Sequence, residues 1–229
     1  MDKAVWFVTG NKGGVGKSAV AKALVEWLEA GAITVSVMDG DSRTSDVASP
    51  FKHRIPVHTF DLQDEGQWPL LADEVCRIDD ERHVVVNMPD GLTERMLVML
   101  GRTAALISEF GWDAKALFVL NTLPDGLHIL PMLEDVLPVV VTVKNLHFGR
   151  PRAFTHFDTI YAPDRPGQVV LFPAMTGRVM TAVRESGLSF DEFTKQTGDA
   201  PSNFVYGKIV VADWNQGVGE AFDETLTEV

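Results

Sequence analysis

The sequence predicts an α/β fold: a doubly wound, mostly parallel sheet with helices on both faces. Three observations carry this expectation. Short β-branched or aromatic runs alternate with helical stretches along the chain. Most of those runs lack the apolar–polar alternation of a half-solvated strand, as expected of parallel strands covered on both faces. A glycine-rich turn joins the first run to the first helix, and sheets of this class place their ligands outside the carboxyl ends of the strands.

The elements follow in chain order. Apolar runs occupy 5–8, 33–38, 84–86, 117–120, 139–143 and 169–172. Between the first two, Val20, Leu24, Trp27 and Leu28 fall on one stripe of a helix. Gly31 sits just past its end, where glycine commonly closes a helix. The pattern predicts further helices over 70–78, 94–109, 127–136 and 176–186. Right-handed crossovers between successive strands complete the expected architecture.

Composition sets the outer limits. A chain of 229 residues, 45% of them hydrophobic, suits one domain over 1–229 that buries its own core. The 20 Lys and Arg against 32 Asp and Glu leave a net charge of −12, which argues against coating nucleic acid by charge alone. No apolar run approaches the roughly 20 residues that span a bilayer, and the start of the chain lacks a secretory h-region. Cys76, the single cysteine, cannot form an internal disulfide, so a packing role and a cytoplasmic location are expected. The six histidines show no metal-binding spacing, and no G-x-S-x-G elbow occurs.

Chemistry concentrates just after the strands. The first strand runs into Thr9-Gly10-Asn11-Lys12-Gly13-Gly14-Val15-Gly16-Lys17-Ser18. Gly13, Gly14 and Gly16 let the backbone curl so that successive N–H groups form an anion nest, to which a helix amino terminus adds positive charge. Lys17 supplies a point charge to β/γ-phosphates, and the Ser18 hydroxyl can ligate Mg²⁺. Asn11 stands where G-x-x-x-x-G-K-[ST] requires glycine. The second strand ends in Asp39-Gly40-Asp41, two carboxylates able to divide work between a metal and a water; alone, the same residues read as a turn. The third run ends in Asn87-Met88-Pro89-Asp90-Gly91, and later strands end at Asn121 and Asn145.

With those residues in view, 12–18 resembles the deviant Walker A loop of the ParA/MinD-type ATPases, P-loop NTPases of the SIMIBI type. The match runs in order over 4–186 and is most specific at the loop. The resemblance implies an ATP-sandwich homodimer using ATP and Mg²⁺, in which Lys12 reaches the partner's nucleotide much as an arginine finger would. It implies nucleotide binding by Gly13, Gly14, Val15, Gly16, Lys17, Ser18 and Ala19. Ser18 and Asp39 hold the metal, and Lys12, Lys17 and Asp41 are catalytic, Asp41 by positioning the attacking water. It assigns adenine to Asn145, with Asn121 a competing candidate and a strand-end turn the bland alternative for both, and packs Pro173 against the base. The family's switch II has a carboxylate where this chain has Asn87, and an amide brings no negative charge. A weaker metal site or slower hydrolysis is expected, with Asp90 as partial compensation.

Two segments mix basic and aromatic residues: Phe51-Lys52-His53-Arg54, and a loop near 147–167 with Arg150, Arg152, Arg165, Phe148, Phe154, Phe157 and Tyr161. Either could meet nucleic acid or a partner, but Asp158 and Asp164 dilute the second stretch and Pro151, Pro163 and Pro166 mark it as a loop, so an ordered surface excursion is the expected reading. The segment 213–229 carries five acids and no Lys or Arg, so it lacks the basic amphipathic character of a MinD-type membrane tail. The expected function is a ParA-like ATPase of the plasmid-stability and conjugal-transfer branch (StbB- or TraL-like), serving plasmid or chromosome partitioning. Its expected partners are plasmid DNA, a DNA-binding adaptor or both, with no stable membrane insertion. The alternatives are a nucleotide-binding scaffold with little hydrolysis and a dethiobiotin-synthetase-like ligase.

Overall fold

The computed structural model describes residues 3–10, 12–44, 46–80, 82–165, 167–196 and 202–227. Asn11, Pro166 and Glu228, named above, lie outside the described residues. Seven strands form one parallel sheet. They are β1 (Ala4–Gly10), β2 (Val35–Asp39), β3 (Val57–Thr59), β4 (His83–Asn87), β5 (Asp113–Leu120), β6 (Val139–Asn145) and β7 (Val169–Phe172). Their order across the sheet is β3-β2-β4-β1-β5-β6-β7. The chain therefore starts at the centre, winds to one edge, and returns through β4 to build the other half.

The pleat of β1 divides the interior. Ala4, Trp6 and Val8 face one apolar core, and Val5 and Phe7 face the other. The first core is roofed by α1 (Lys17–Ala30), α7 (Gly177–Ser186), α8 (Phe190–Lys195) and α9 (Ser202–Leu226). The second is covered by α3 (Gln67–Cys76), α4 (Glu94–Glu109), α5 (Ile129–Glu134) and α6 (Thr155–Ile160). A short α2 (Ala48–Phe51) adds Phe51 to the first core. Helices on both faces of a parallel sheet are the architecture that the sequence predicts. Cys76 packs against the second core, as expected of it. Among the described residues, no helix is long and apolar enough to cross a membrane.

The differences from expectation have local causes. Helix α3 begins three residues before the predicted start because Pro69 is tolerated in a first turn, where its missing N–H would have had no partner. Helix α5 is shorter than the predicted 127–136. Strand β3 is three residues at the sheet edge and only half-buried, so it has no apolar run to announce it.

Helix α9 was hidden by its glycines and acids. Val211, Trp214, Val218, Phe222 and Leu226 recur every three or four residues and are buried. Asp213, Glu220, Asp223 and Glu224 occupy the solvent side. The Trp214 indole donates to the Pro173 carbonyl at 2.8 Å, and its ring lies edge-on to Phe172 at 5.3 Å.

Much of the two basic–aromatic segments is taken up within the fold. Arg54 pairs with Glu29 at 2.8 Å and Glu192 at 3.6 Å, and His53 meets Glu192 at 2.7 Å. Phe154 and Phe157 are core residues, Arg165 is paired with Glu134, and Lys144 is paired with Asp158. Most of the cations and rings that could meet a partner are consumed inside the fold, leaving Lys52, Arg150 and Arg152 exposed.

Replacing Trp214 removes both its aromatic packing and its bond to Pro173. Trp214→Ala is expected to lower unfolding free energy by about 3–5 kcal/mol, read by urea denaturation, whereas Glu220→Ala on the solvent side changes it by less than about 0.5 kcal/mol.

Candidate functional site

The carboxyl ends of the strands bring the singled-out residues to one edge of the sheet. Strand β1 lies between β4 and β5, and residues 12–16 of the loop beyond it lead into the amino terminus of α1. The chain can make that turn because Gly16 adopts φ 99° and ψ 20°, a left-handed conformation that costs a side-chain-bearing residue energy. The Gly16 carbonyl then accepts from the Ala19 and Val20 amides, both at 3.1 Å, which starts the helix. Val15 is fully buried and ties the loop to the first core. Gly13 and Gly14 remain exposed at the mouth, and Ser18 sits half-buried in the first helical turn.

Asn145, at the end of β6, braces this loop from below. Its Nδ2 donates to the Val15 carbonyl at 2.9 Å, and its Oδ1 accepts from the His147 amide at 3.1 Å. The amide expected at adenine is thus already engaged at both ends, each keeping one further hydrogen-bonding position. Asn121 accepts from the Leu123 amide at 3.0 Å, a strand-end turn of the kind weighed as the bland alternative. Pro173 follows Phe172, the register partner of Asn145, so these two expected base contacts are neighbours.

The ends of β2 and β4 form a second cluster. Asp39 is fully buried. Its Oδ1 accepts from Asn87 Nδ2 at 2.9 Å and from the Asp41 amide at 3.3 Å, and its Oδ2 accepts from the Ala48 amide at 3.0 Å. Three neutral N–H donors, and no cation among the described residues, hold this carboxylate. The register pairs Asp39 directly with Asn87. A carboxylate at 87 would set two buried like charges side by side, which favours protonation of one of them. Asn87 Oδ1 is buried and has no partner among the described residues, and the same is true of Thr9 Oγ1. Asp41 is half-exposed and accepts from the Arg43 amide at 3.2 Å.

The two loop lysines differ sharply. The Lys17 side chain is 7% exposed, and its Nζ donates to Asp90 Oδ1 and, at 3.5 Å, to the Lys12 carbonyl. Lys12 lies on the surface, 3.5 Å from Asp125, with its side chain 38% exposed. The contact of Asp90 with Lys17 is the feature that sequence reading missed. Its one signal in the sequence was the carboxylate three positions beyond Asn87, at the same strand end.

The cluster fits a metal held largely by others. No group of three or more His, Cys, Asp or Glu able to hold an ion exists among the described residues. The chemistry of the pair at the ends of β2 and β4, one carboxylate and the unpartnered Asn87 oxygen, fits Mg²⁺, which keeps several waters and uses one or two protein oxygens beside substrate phosphates.

No family model matches the chain. Protein MobD of Acidithiobacillus ferrooxidans is 27% identical over 203 residues, 86% of this chain and 88% of that protein. The structure of the septum site-determining protein MinD of Pyrococcus horikoshii, complexed with Mg-ADP, superposes with a TM-score of 0.61 at 15% identity, covering 97% of this chain and 96% of that one. The fold is that of MinD. A ParA family ATPase from Chlorobium tepidum gives a TM-score of 0.59 at 13% identity over 94% and 98% of the two chains. The MinD-type fold accounts for the position of the glycine loop at the end of the central strand, where the direction of winding reverses.

Because Asn87 is the side-chain donor to Asp39, Asn87→Asp is expected to destabilise the protein free of ligand by about 2 kcal/mol in chemical denaturation, through a lost donor and an added buried charge. Added Mg²⁺ with ADP is expected to recover part of that loss.

Proposed function

We propose that the chain is an ATP-dependent dimerising switch of the ParA type, a slow ATP hydrolase acting in the partition, stability or conjugal transfer of plasmid or chromosomal DNA. The observation that carries the reading is the glycine loop at the end of the central strand, bent by a left-handed Gly16 into the start of α1, with the buried ammonium of Lys17 beside it. A nest of amides, a helix amino terminus and a lysine together suit the phosphates of a nucleotide. Mg-ADP bound to a MinD of the same fold supports nucleotide and Mg²⁺ as the ligands here.

In this reading Gly13, Gly14, Val15, Gly16, Lys17, Ser18 and Ala19 form the phosphate site, and Ser18 and Asp39 serve the metal. Asp41, half-exposed beside the buried pair, positions water. The free positions on Asn145, with neighbouring Pro173, take the base. Lys12 is exposed and able to leave Asp125 for a nucleotide on a second copy, where a cation would offset charge on the transferred group. A DNA-binding adaptor, plasmid DNA or both would recognise the ATP-bound dimer. The acidic solvent side of α9 would be repelled by an anionic membrane, and equally by DNA, so it is not the face that meets either.

Asn87 favours a second reading, a nucleotide-binding scaffold that hardly hydrolyses. Its amide neutralises no metal charge, and it is committed to Asp39.

Lys17→Ala is expected to abolish ATP binding measured by calorimetry. Lys12→Ala is expected to bind ATP as a monomer yet lose the ATP-dependent dimer in size-exclusion chromatography with light scattering; an unchanged dimer would refute the trans role. Phosphate release by the wild type is expected to vanish in Asp41→Ala. No release from the wild type, even with DNA and the adaptor present, would select the scaffold.

A further inference from the structure

The ammonium of the glycine loop is already paired with an anion supplied by the chain. Asp90 Oδ1 accepts from the Lys17 ammonium, and Asp90 Oδ2 lies so near the loop that a Cβ built on Gly13 would meet it at 2.7 Å. One carboxylate therefore stretches from the lysine at the mouth to the glycine backbone of the rim. A phosphate held by this loop would need the same ammonium. Two anions cannot share it at hydrogen-bond distance without strong repulsion.

The surroundings of Asp90 are built to release it. The Asp90 side chain is 58% exposed, and Lys17 is its one hydrogen-bonding partner among the described residues. The turn that carries it is anchored on both sides. The Met88 amide donates to the Val8 carbonyl at 3.0 Å, and Thr93 caps α4 by accepting from the Met96 amide at 3.2 Å. Between those anchors, Gly91 takes φ 74° and is exposed. Beside it lies a cavity of about 300 Å³ lined by Leu62, Trp68, Thr93, Met96 and Met99. The turn thus has a fixed base, a permissive residue and adjacent space.

We propose that Asp90 is a tethered occupant of the phosphate site, which a nucleotide must displace, so that the turn 89–91 changes position with occupancy. The proposal rests on the reading that the loop binds nucleotide, and it adds a regulation of that site. It turns the exchange of one anion for another into a movement of the segment leading into α4. The exchange is electrostatic: an exposed carboxylate competes weakly, so it raises the nucleotide concentration needed without blocking entry.

The test uses the full chain with ADP, in EDTA and in Mg²⁺. Asp90→Asn, which keeps shape and removes charge, is expected to bind ADP about fivefold more tightly than the wild type in EDTA at low salt. The gain should shrink towards unity near 1 M salt, because only the charge differs. In hydrogen exchange, amides of 88–93 in the wild type should exchange faster once ADP saturates the site, while Asp90→Asn should already exchange fast without it. Equal or weaker ADP binding by Asp90→Asn in EDTA, with the wild type binding normally, would overturn the latch alone, as would unchanged exchange over 88–93. Loss of affinity confined to Mg²⁺ conditions would assign Asp90 to the metal instead and overturn the latch. If neither protein binds ADP, the nucleotide reading falls and the latch falls with it.

Discussion

An ammonium group taken out of water at the rim of a glycine loop must have an anion beside it. Desolvating an unpaired charge costs several kcal/mol even after the protein relaxes, and the Lys17 side chain is almost wholly buried. The surrounding architecture follows from that requirement. The loop is set at the end of the central strand, bent by a left-handed Gly16, pinned to the core by Val15, and braced from β6 by Asn145. In the structure Asp90 satisfies the lysine; in the proposed function a nucleotide phosphate does so.

The distribution of carboxylates at the sheet edge obeys the same electrostatics. Asp39 is buried without a cation among the described residues, so its neighbour across the ladder must donate rather than repel. Asn87 does this. A carboxylate that would be unfavourable at 87 is favourable at 90, where water covers one side and Lys17 the other. The negative charge at the end of β4 therefore sits beside the lysine rather than beside Asp39. A cation arriving at Asp39 would find one charge and an amide oxygen, which is the physical basis for reading the chain as a slow enzyme or a scaffold.

Much of the strand framework was legible because strands buried on both faces are nearly continuous apolar runs, and six of the seven announced themselves in that way. The exception, β3, is a half-buried edge. Helix α9 escaped because glycines weaken the helical signal and its acids draw attention to charge, although its apolar stripe keeps helical spacing. The basic–aromatic segments left contact with a partner open for the opposite reason. Composition shows that Arg54, Arg165, Phe154 and Phe157 exist, but it does not show that acids and core positions elsewhere absorb them.

The turn from β1 into α1 was readable because the curl of a glycine-rich loop is a local property of its backbone. The sequence by itself therefore determined the strand–loop–helix unit and the fold class built on it. Tertiary structure alone decided who meets whom across the strands. Asn145 reaches a carbonyl 130 residues away, Asn87 reaches Asp39 from 48 away, and Asp90 reaches Lys17 from 73 away. Each pairing depends on the order of strands in the sheet. That order is set by how two apolar faces are covered at once, and no local stretch of sequence contains it.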